Sequence, residues 1–507
     1  MKPLTLQEVV DALAGTLDRP VPIGNVKRVV IDSRDVQAGD LFVAIHGERF
    51  DGHDFVGRAF AAGAVAAVVR SDFPPTTAEG VDDASGAPLP MLIRVDDTVD
   101  ALGRLARYYR QSVINGGITL VAVTGSNGKT TTKSMIAHVL SGRWRGRASP
   151  KSYNNHIGVP LTLLSSEPSE EFLICEVGMN APGEIAALAR LIEPEVAVVT
   201  GIAPVHLEGL GSLENIAVEK LSLLGALRPD GCAVVNADHE ILRWMLTQQR
   251  EWASCKKVTF GAWEQADLRL TSWRMVAGPG DADDAPLGVQ EFTVNDRFVY
   301  RLHVPGRHNV FNAMAAIGVA RRFGMTDEQI AERLASFRLP PMRLGYERAG
   351  SITLINDAYN ANPASVAAAV DVLEQAPATG RRVFVLGDMR ELGESSRSLH
   401  EEVARRIGAG PVDMVIAVGE HARLICDVVR SVSDRRIETH AYATTALARK
   451  RVASLIAPGD TILVKGSRLL ALERLVEAIR KRAIEMDSRP KASGGASGKK
   501  ARSSRCG

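Results

Sequence analysis

The feature that most constrains this chain is a glycine-rich loop that joins an apolar strand pattern to a helical pattern. Residues 119–123 are mostly apolar and β-branched, and Thr-Gly-Ser-Asn-Gly-Lys-Thr-Thr-Thr follows at 124–132. Glycines let backbone N–H groups converge on an oxyanion, a lysine adds positive charge, and the next helix contributes its positive dipole end. The pattern therefore predicts a phosphate-binding loop at the edge of a parallel α/β sheet.

The residues of this loop suggest how a nucleotide and a metal would be held. Thr130 follows Lys129, and its hydroxyl is placed to bind Mg²⁺. Val123 stands where the longer form of such a loop carries glycine. The residues predicted to bind ATP are Gly125, Ser126, Asn127, Gly128, Lys129, Thr130 and Thr131. A glycine-rich turn without a ligand is the alternative, and the flanking strand and helix favour the nucleotide.

Composition and charge exclude several classes of protein. Apolar residues make up 45% of the 507-residue chain and charged residues 24%, as in ordinary globular proteins. The net charge of +2 combines a tail from residue 487 onward that carries +5 with a remainder of −3, so we expect no nucleic-acid partner. No apolar run is long enough to span a bilayer, and the N-terminus lacks a signal-peptide pattern. The five scattered cysteines fit a reduced, cytoplasmic location.

Alternating strand and helix patterns predict an α/β fold with three domains. The alternation runs over about 119–227 and again over 352–482, which favours two parallel sheets wrapped by helices. Before them, short β segments surround one helix, and 98–112 is predicted to be a connecting helix. The predicted divisions are a small α/β N-domain at 1–112, a central P-loop-type parallel-sheet domain at 113–343, a C-terminal Rossmann-like parallel-sheet domain at 344–485 and a disordered basic tail at 486–507. Residues 264–300 are predicted to be irregular, with a surface hairpin or loop at 278–284.

Two polar side chains follow strands that should neighbour the loop. Glu176 ends the predicted strand 172–175, and His206 follows the predicted strand 196–200. Because parallel strands present their carboxyl ends at one edge, both side chains should lie near the loop. Glu176 can hold Mg²⁺. For His206 we predict a metal-binding or proton-transfer role, and a purely structural histidine is the alternative.

The segment from His206 to Lys220 resembles the Mur ligases, the ATP-dependent amide ligases that build the peptide of bacterial cell-wall precursors. The match comprises His-Leu-Glu-Gly at 206–209, Gly-Ser-Leu-Glu-Asn at 211–215 and Lys220. In that family the lysine fourteen residues after the histidine reacts with CO₂ and becomes a carbamate that can bind a second Mg²⁺. On sequence alone Lys220 would be a helix-surface lysine. The resemblance implies two Mg²⁺ ions held by Thr130, Glu176, His206 and carbamylated Lys220.

Within this family, four further segments resemble the members that use D-alanyl-D-alanine. They are residues 178–185, 356–363, 386–393 and 464–468. The second contains Tyr-Asn-Ala-Asn where sister ligases place a lysine. The resemblance implies a ligase whose substrates are ATP, UDP-N-acetylmuramoyl-tripeptide and D-alanyl-D-alanine, and we expect the protein to be a monomer. It assigns UDP-muramoyl binding to the first predicted domain, ATP to the central one and the dipeptide to the third.

The resemblance also implies roles for single residues. Asn309 and Asn312 would face the adenine side of ATP, and Asp357 would lie near its ribose. The implied catalytic residues are Lys129, Lys220, His206, Glu176 and Arg343. The implied substrate-binding residues are Ser33, Arg34, Arg49, Asn154, Asn155, His156, Tyr359, Asn360, Asp388 and Glu391. Met342 departs from the family, which usually has glycine before the arginine.

Simpler interpretations exist for several of these residues. Asn309 and Asn312 could be caps or helix-surface residues, and Arg34 and Arg49 could be solvated. Asp388 and Glu391 could cap the helix that follows them, since helix N-termini favour carboxylates.

Two other functions fit part of the sequence. A folylpolyglutamate-synthase-like ligase would share the central chemistry, but a separate domain precedes the loop here and Tyr-Asn-Ala-Asn at 359–362 fits the cell-wall enzymes. A non-catalytic nucleotide-dependent scaffold would not need the residues predicted to hold a second metal.

Overall fold

In a computed structural model the chain folds into two compact units. The structure describes residues 1–17, 20–21, 23–47, 50–74, 91–205, 207–248, 252, 255–276 and 288–487. The first unit comprises residues 1–343, 362–372 and 389–399, and the second comprises 344–361, 373–388 and the chain from residue 400 onward. The domain boundaries at residues 112, 343 and 485 stay predictions.

Within its described residues, the first unit contains three sheets and most of the helices. Its strands are β1 (Leu4–Thr5), β2 (Thr16–Leu17), β3 (Asn25–Val26), β4 (Arg28–Val30), β5 (Asp40–Val43), β6 (Ala66–Arg70), β7 (Met91–Val95), β8 (Thr119–Thr124), β9 (Gly146–Ala148), β10 (Phe172–Glu176), β11 (Val196–Val199), β12 (Cys232–Asn236), β13 (Lys256–Gly261), β14 (Leu268–Val276), β15 (Val289–Val294) and β16 (Phe298–Leu302). Its helices are α1 (Leu6–Leu13), α2 (Val56–Ala61), α3 (Thr98–Ser112), α4 (Lys129–Leu140), α5 (Gly158–Leu164), α6 (Glu184–Ile192), α7 (Leu207–Leu210), α8 (Leu213–Leu221), α9 (Glu240–Gln248), α10 (His308–Arg322) and α11 (Asp327–Ala335).

The remaining elements belong to the second unit or have residues in both. Helices α12 (Pro363–Gln375) and α13 (Ser396–Ala409) have residues in both units. Those of the second unit are β17 (Gly345–Ala349), β18 (Ile352–Asp357), β19 (Arg382–Gly387), β20 (Met414–Val418), α14 (Ala422–Val432), β21 (Glu438–Tyr442), α15 (Thr445–Leu455), β22 (Thr461–Lys465) and α16 (Glu473–Asp487). Short 3₁₀ helices lie at Gly52–Phe55, Ile114–Gly116, Ser222–Ala226, Gly393–Ser395 and Arg468–Leu470.

The largest sheet of the first unit has the strand order β16-β15-β14-β13-β12-β11-β8-β10-β9 among the described residues. The pairs from β9 to β14 are parallel. Alternate residues of β8 enter two different apolar clusters, with Leu120 and Ala122 on one face and Val121 and Val123 on the other. Burial on both faces explains why this strand reads as a nearly continuous apolar run. The predicted parallel sheet is confirmed, and β8 lies between β10 and β11.

The far edge of this sheet differs from the prediction. Strands β14, β15 and β16 form an antiparallel extension, so the prediction that residues 264–300 are irregular is wrong. These strands alternate buried and exposed positions, as in the pattern of β16, where Tyr300 and Leu302 are buried and Arg301 is exposed. The outer face of these strands carries charged side chains. The sequence therefore lacks a continuous apolar run there, and the pattern was interpreted as irregular. The loop predicted at 278–284 lies outside the described residues.

The first predicted domain contains a second sheet with the order β2-β7-β6-β5-β4. Strands β4 to β7 agree with the β segments predicted at 28–31, 41–44, 64–69 and 91–95, whereas β2 was not predicted, and helix α3 has the predicted bounds. Asp97 caps α3 by accepting hydrogen bonds from the N–H groups of Val99 and Asp100, at 2.7 and 2.8 Å. At the other end of the helix the buried Tyr109 hydroxyl donates to the Ser166 carbonyl at 2.7 Å. Helix α3 therefore anchors this five-stranded sheet to the segment that carries α5.

The second unit has one sheet with the order β17-β18-β22-β19-β20-β21. Strand β17 is antiparallel to β18, and the other pairs are parallel. The predicted C-terminal parallel sheet is confirmed. Strands β19, β20 and β22 are almost entirely buried, as central strands of such a sheet are.

Within the described part of the chain, no helix has both the length and the apolar composition needed to cross a membrane. The described cysteines, Cys175, Cys232, Cys255 and Cys426, are free thiols. The cytoplasmic location and the monomeric state stay predictions.

Met342 has a backbone conformation that favours glycine. Its φ is +61°, in the left-handed region, where a side chain costs about 1–2 kcal/mol. The family's usual glycine at this position would carry no such cost. The methionine can be accommodated, and the loop keeps the backbone geometry that glycine usually adopts.

We expect the Met342→Gly variant to be more stable than Met342→Ala by about 1 kcal/mol, because alanine keeps the left-handed strain and glycine removes it. Both variants lose the methionine side chain, so comparing them isolates the backbone term. Urea unfolding of the two proteins measures the difference. An alanine variant as stable as the glycine variant would contradict the strain.

Candidate functional site

The loop between β8 and α4 requires glycine at two positions. Gly125 has φ +147°, and a Cβ atom there would overlap the Thr200 hydroxyl oxygen. Gly128 has φ +82°, and a Cβ atom there would overlap the side-chain oxygen of Asn312. The backbone therefore curls against the end of β11 on one side and against α10 on the other. This leaves a cradle of the kind that holds phosphate oxygens.

Hydrogen bonds hold the cradle in place. The Ser126 N–H donates to the Gly201 carbonyl at 2.9 Å, and the Ser126 hydroxyl donates to the Ala203 carbonyl at 3.1 Å. The Asn127 side-chain amide pairs with the amide of Asn362, with N···O distances of 2.6 and 3.3 Å. These side chains brace the loop from outside. Thr131 is buried in the first turn of α4.

Lys129 begins α4, and its ammonium folds back over the loop. Its Nζ donates to the Gly125 carbonyl at 2.8 Å. Removal from water lowers the pKa of Lys129, and the nearby Glu176 charge partly opposes this effect. The nearby Glu391 acts in the same direction as Glu176, so these two acidic groups favour the charged amine.

Glu176 is the polar centre of the site. It ends β10 and is 1% exposed. Its Oε2 accepts the Thr130 hydroxyl at 3.0 Å and lies 3.1 Å from Lys133 Nζ, while its Oε1 accepts the Asn154 amide at 3.1 Å. A threonine hydroxyl next to a carboxylate is the hard oxygen donor set that Mg²⁺ prefers. The predicted proximity of Thr130 and Glu176 is confirmed.

Arg343 also reaches this group, since its Nη2 lies 3.4 Å from the Thr130 hydroxyl oxygen. Lys133 was not predicted, although it follows Lys129 by four residues and therefore lies on the same helix face. That spacing was the available signal.

Lys220 is buried, so the interpretation of it as a helix-surface lysine is wrong. Its residue is 1% exposed on α8, and Nζ lies 3.9 Å from the Met179 sulfur. Burial moves the pKa of Lys220 well below its usual range, and the Lys129 charge adds to that effect. The adjacent Glu219 carboxylate accepts from the N–H groups of Gly183 and Ile185, both at 2.8 Å. Glu219, which was not predicted, thereby ties α8 to the start of α6.

His206 and Arg49 lie outside the described residues, so their predicted roles stay predictions.

Asn309 and Asn312 are buried, which excludes the helix-surface alternative. The Asn312 amide donates to the Asn309 side-chain oxygen at 3.0 Å, and the Thr132 hydroxyl donates to the Asn312 oxygen at 3.1 Å. Asn309 in turn donates to the Pro305 carbonyl at 2.6 Å. This chain of amides fixes the start of α10 beside the cradle. The two residues therefore support the loop, whether or not they also contact a base.

The segment after Lys151 contacts the site at Ser152, whose hydroxyl oxygen lies 3.5 Å from that of Thr130, and at Asn154. Asn154 bonds to Glu176, whereas the Asn155 side chain accepts from the N–H groups of Ile157 and Gly158 at the start of α5. His156 lies on the surface, with Nε2 3.3 Å from a Glu184 oxygen.

Near the sheet that contains β4 to β7, Ser33 is buried and Arg34 is exposed, and the substrate-binding roles of both stay predictions. The Arg34 Nε donates to Asp32 at 2.9 Å, and this contact lowers the pKa of Asp32 to about 2. The pairing holds the Arg34 side chain at the surface, next to the buried Ser33.

In the second unit, Asp357 ends β18 and pairs with the buried Lys465, whose Nζ lies 2.5 Å from Oδ2. The same Nζ donates to the Asn360 carbonyl at 3.0 Å. Tyr359 is half-buried and the Asn360 residue is exposed. Lys465 therefore orders the segment that carries these predicted binding residues.

Asp388 is buried and caps a helix. The simpler interpretation was that it caps the helix that follows it in sequence, but it caps a different one. Its oxygens accept from the N–H groups of Glu420 and His421, at 2.7 and 3.1 Å, just before α14. The helix that follows in sequence, α13, is not the one capped. Glu391, in the first unit, has φ +64°.

Matches to known proteins cover nearly the whole chain. Residues 25–110, 123–320 and 342–468 match the domains described as "Mur ligase family, catalytic domain", "Mur ligase middle domain" and "Mur ligase, glutamate ligase domain". A Bacillus subtilis protein named UDP-N-acetylmuramoyl-tripeptide–D-alanyl-D-alanine ligase is 35% identical over 476 residues, which is 93% of this chain and 97% of that protein.

Two solved structures are similar over comparable lengths. A crystal structure of MurF from Acinetobacter baumannii has a TM-score of 0.81 at 30% identity and covers 95% of this chain and 99% of its own. The MurF ligase from Thermotoga maritima in complex with ADP has a TM-score of 0.72 at 28% identity and covers 91% and 99%. The cradle, the Thr130–Glu176 pair and these matches together show that the chain belongs to the Mur ligase family and is a ligase.

Proposed function

We propose that this ligase joins D-alanyl-D-alanine to UDP-N-acetylmuramoyl-tripeptide at the expense of ATP, forming the pentapeptide precursor of peptidoglycan. The observation that carries the proposal is the 35% identity, over 93% of the chain, to a relative that bears this activity in its name. The Tyr-Asn-Ala-Asn segment at 359–362 agrees with it. ADP and phosphate would be the other products.

ATP and Mg²⁺ suit the residues that surround the cradle. Loop N–H groups and Lys129 would hold the β- and γ-phosphates, and Thr130 and Glu176 would hold Mg²⁺. The two glycines support this role because a Cβ atom at either would overlap a side chain that packs against the loop and would displace its backbone. When bound, Mg²⁺ neutralises charge on the phosphates. The proposed adenine and ribose contacts of Asn309, Asn312 and Asp357 rest on the family resemblance.

A carbamate on Lys220 suits the burial of that side chain. CO₂ reacts with a neutral amine, and burial favours the neutral form by lowering the pKa of Lys220. The carbamate would add one negative charge near the cradle and would provide, with His206, ligands for a second Mg²⁺. The surrounding carboxylates alone would otherwise have to provide that charge.

The chemistry we propose has two steps. A carboxylate oxygen of the tripeptide attacks the γ-phosphorus of ATP, and the bond to ADP breaks, giving an acyl phosphate. The amine of D-alanyl-D-alanine then attacks the acyl carbon, loses a proton, and phosphate leaves with the oxygen that came from the carboxylate. Lys129 and Arg343 stabilise the charge that moves during phosphoryl transfer.

Substrate binding is proposed for two groups of residues. For the UDP-muramoyl-tripeptide they are Ser33, Arg34, Arg49, Asn154, Asn155 and His156. For D-alanyl-D-alanine they are Tyr359, Asn360, Asp388 and Glu391. Because Asp388 already accepts two backbone hydrogen bonds, we expect it to act by ordering its loop.

The Gly128→Ala variant should bind ADP at least tenfold more weakly than the wild type, because the added methyl displaces Asn312 and the residue has a left-handed φ. Calorimetric titration with ADP and Mg²⁺ measures the affinity. Gly103→Ala is the matched control, since a Cβ atom at that helical position meets nothing within 4 Å. Equal ADP affinity in both variants would contradict the cradle geometry.

A coupled assay of ADP release tests the proposed function. We expect release that requires both UDP-N-acetylmuramoyl-tripeptide and D-alanyl-D-alanine, and none when either is omitted. Release with a folate and glutamate would favour the folylpolyglutamate-synthase alternative, and release without any acceptor would favour a scaffold ATPase. Tripeptides ending in diaminopimelate and in lysine, compared in the same assay, would identify the third residue.

A further inference from the structure

Lys133 is a buried cation whose charge the proposed chemistry does not use. The residue is 3% exposed and lies one helical turn after Lys129 on α4. Its ammonium donates to the carbonyls of Ser149, at 2.8 Å, and Lys151, and it lies 3.1 Å from Glu176 Oε2. An ammonium has three N–H donors, so these contacts account for all of them.

The partner of this cation is the carboxylate that we propose as a Mg²⁺ ligand. Glu176 is 1% exposed, and an ionised carboxylate buried without a cation would be strongly unfavourable. Thr130 and Asn154 donate hydrogen bonds to it, but neither carries a charge. Lys133 therefore neutralises Glu176 when no metal is bound.

The two lysines of α4 have different surroundings. Lys129 donates to a carbonyl of the cradle itself, so phosphate oxygens can take over its contacts. Lys133 is held by the carbonyls of Ser149 and Lys151, which are not part of the glycine-rich loop, so its charge has fixed partners beside Glu176. A divalent cation on Glu176 must therefore always share that carboxylate with a fixed ammonium.

We propose that Lys133 keeps the nucleotide-free site from binding Mg²⁺ tightly, so that the metal enters together with ATP. The inference rests on the proposed role of Glu176 as a metal ligand. Two cations on one carboxylate repel each other, and the phosphates of ATP add the negative charge that offsets this repulsion. Lys133 is thus a positioning residue that couples metal binding to nucleotide binding.

The test is a titration of the full-length protein with Mn²⁺, a substitute for Mg²⁺ whose free form is counted by electron paramagnetic resonance. We expect the wild type to bind Mn²⁺ weakly without nucleotide and tightly with ADP. The Lys133→Gln variant keeps N–H donors for the two carbonyls but removes the charge. Without nucleotide, it should bind Mn²⁺ at least about tenfold more tightly than the wild type does. A single nearby charge changes the affinity of a group for a proton on this scale.

Lys256→Gln is the matched control, because it removes a lysine charge from the surface of the same unit. The inference would be overturned if Lys133→Gln and the wild type bound Mn²⁺ equally tightly without nucleotide. If Lys133→Gln does not fold, the wild type alone still tests the inference. Tight binding of Mn²⁺ by the wild type without nucleotide would overturn it. The Glu176→Gln variant separates the two proposals: unchanged Mn²⁺ binding with ADP would refute the ligand role itself and the inference with it.

Discussion

Replacing Lys129 with alanine should lower kcat/KM by at least about a hundredfold, equivalent to roughly 3 kcal/mol or more of transition-state stabilisation. The ammonium lies over the cradle, 2.8 Å from the Gly125 carbonyl, and Lys133, the next lysine of α4, is held instead by the carbonyls of Ser149 and Lys151. The charge on the phosphates grows and moves during transfer. Loss of the Lys129 ammonium should therefore lower the rate of catalysis more than the affinity for ATP.

The measurement is steady-state ADP release as a function of ATP concentration, with the other two substrates saturating, which gives both kcat and kcat/KM. Lys256→Ala serves as the matched control, because its side chain is exposed and pairs with the exposed Asp230. Thermal unfolding of both variants checks that the fold is intact. Wild-type turnover by a folded Lys129→Ala protein would refute the proposed role of the cradle.

Replacing Lys220 with alanine should abolish a carbamate signal and most of the activity. With ¹³C-bicarbonate, the wild type should show a carbamate resonance that the variant lacks. Because burial lowers the pKa of Lys220, its amine is available to CO₂ at lower pH than that of an exposed lysine. The signal should weaken as the pH falls through that lowered pKa, since protonation then removes the nucleophile.

The Lys220→Met variant separates loss of the amine from loss of side-chain packing. Methionine fills much of the buried volume of the lysine but has no amine. We expect this variant to fold like the wild type and to be as inactive as Lys220→Ala. Depletion of CO₂ should inhibit the wild type and leave both variants unchanged. Full activity in a folded Lys220→Met protein would sink the carbamate proposal.

Features of the fold that depend on local periodicity were predictable. The strand that ends at the cradle and helix α3 have the bounds expected from their apolar patterns. The antiparallel strands β14 to β16 are consecutive in sequence and pair with their neighbours, but they were missed because their outer faces are charged. A strand with one charged face lacks the continuous apolar run by which the buried parallel strands were identified.

The site was predictable where strand ends determine it. Thr130 begins the helix that follows β8 and Glu176 ends β10, and the two meet because β8 and β10 are parallel neighbours. The burial of Lys133 and Lys220 was not predictable, since a lysine on a helix is usually solvated and only the packing of other elements encloses it. The partner of Asp388 was hidden for the same reason, because the N–H groups that it caps lie more than thirty residues away.

The most direct test of the central claim follows oxygen from the peptide to phosphate. UDP-N-acetylmuramoyl-tripeptide labelled with ¹⁸O in its terminal carboxylate is incubated with the protein, ATP, Mg²⁺ and D-alanyl-D-alanine, and the products are analysed by mass spectrometry. We expect the pentapeptide product, ADP, and inorganic phosphate that carries one ¹⁸O atom from the carboxylate. Pentapeptide formed together with unlabelled phosphate would contradict phosphoryl transfer to the peptide carboxylate, and the absence of pentapeptide would contradict the ligase assignment.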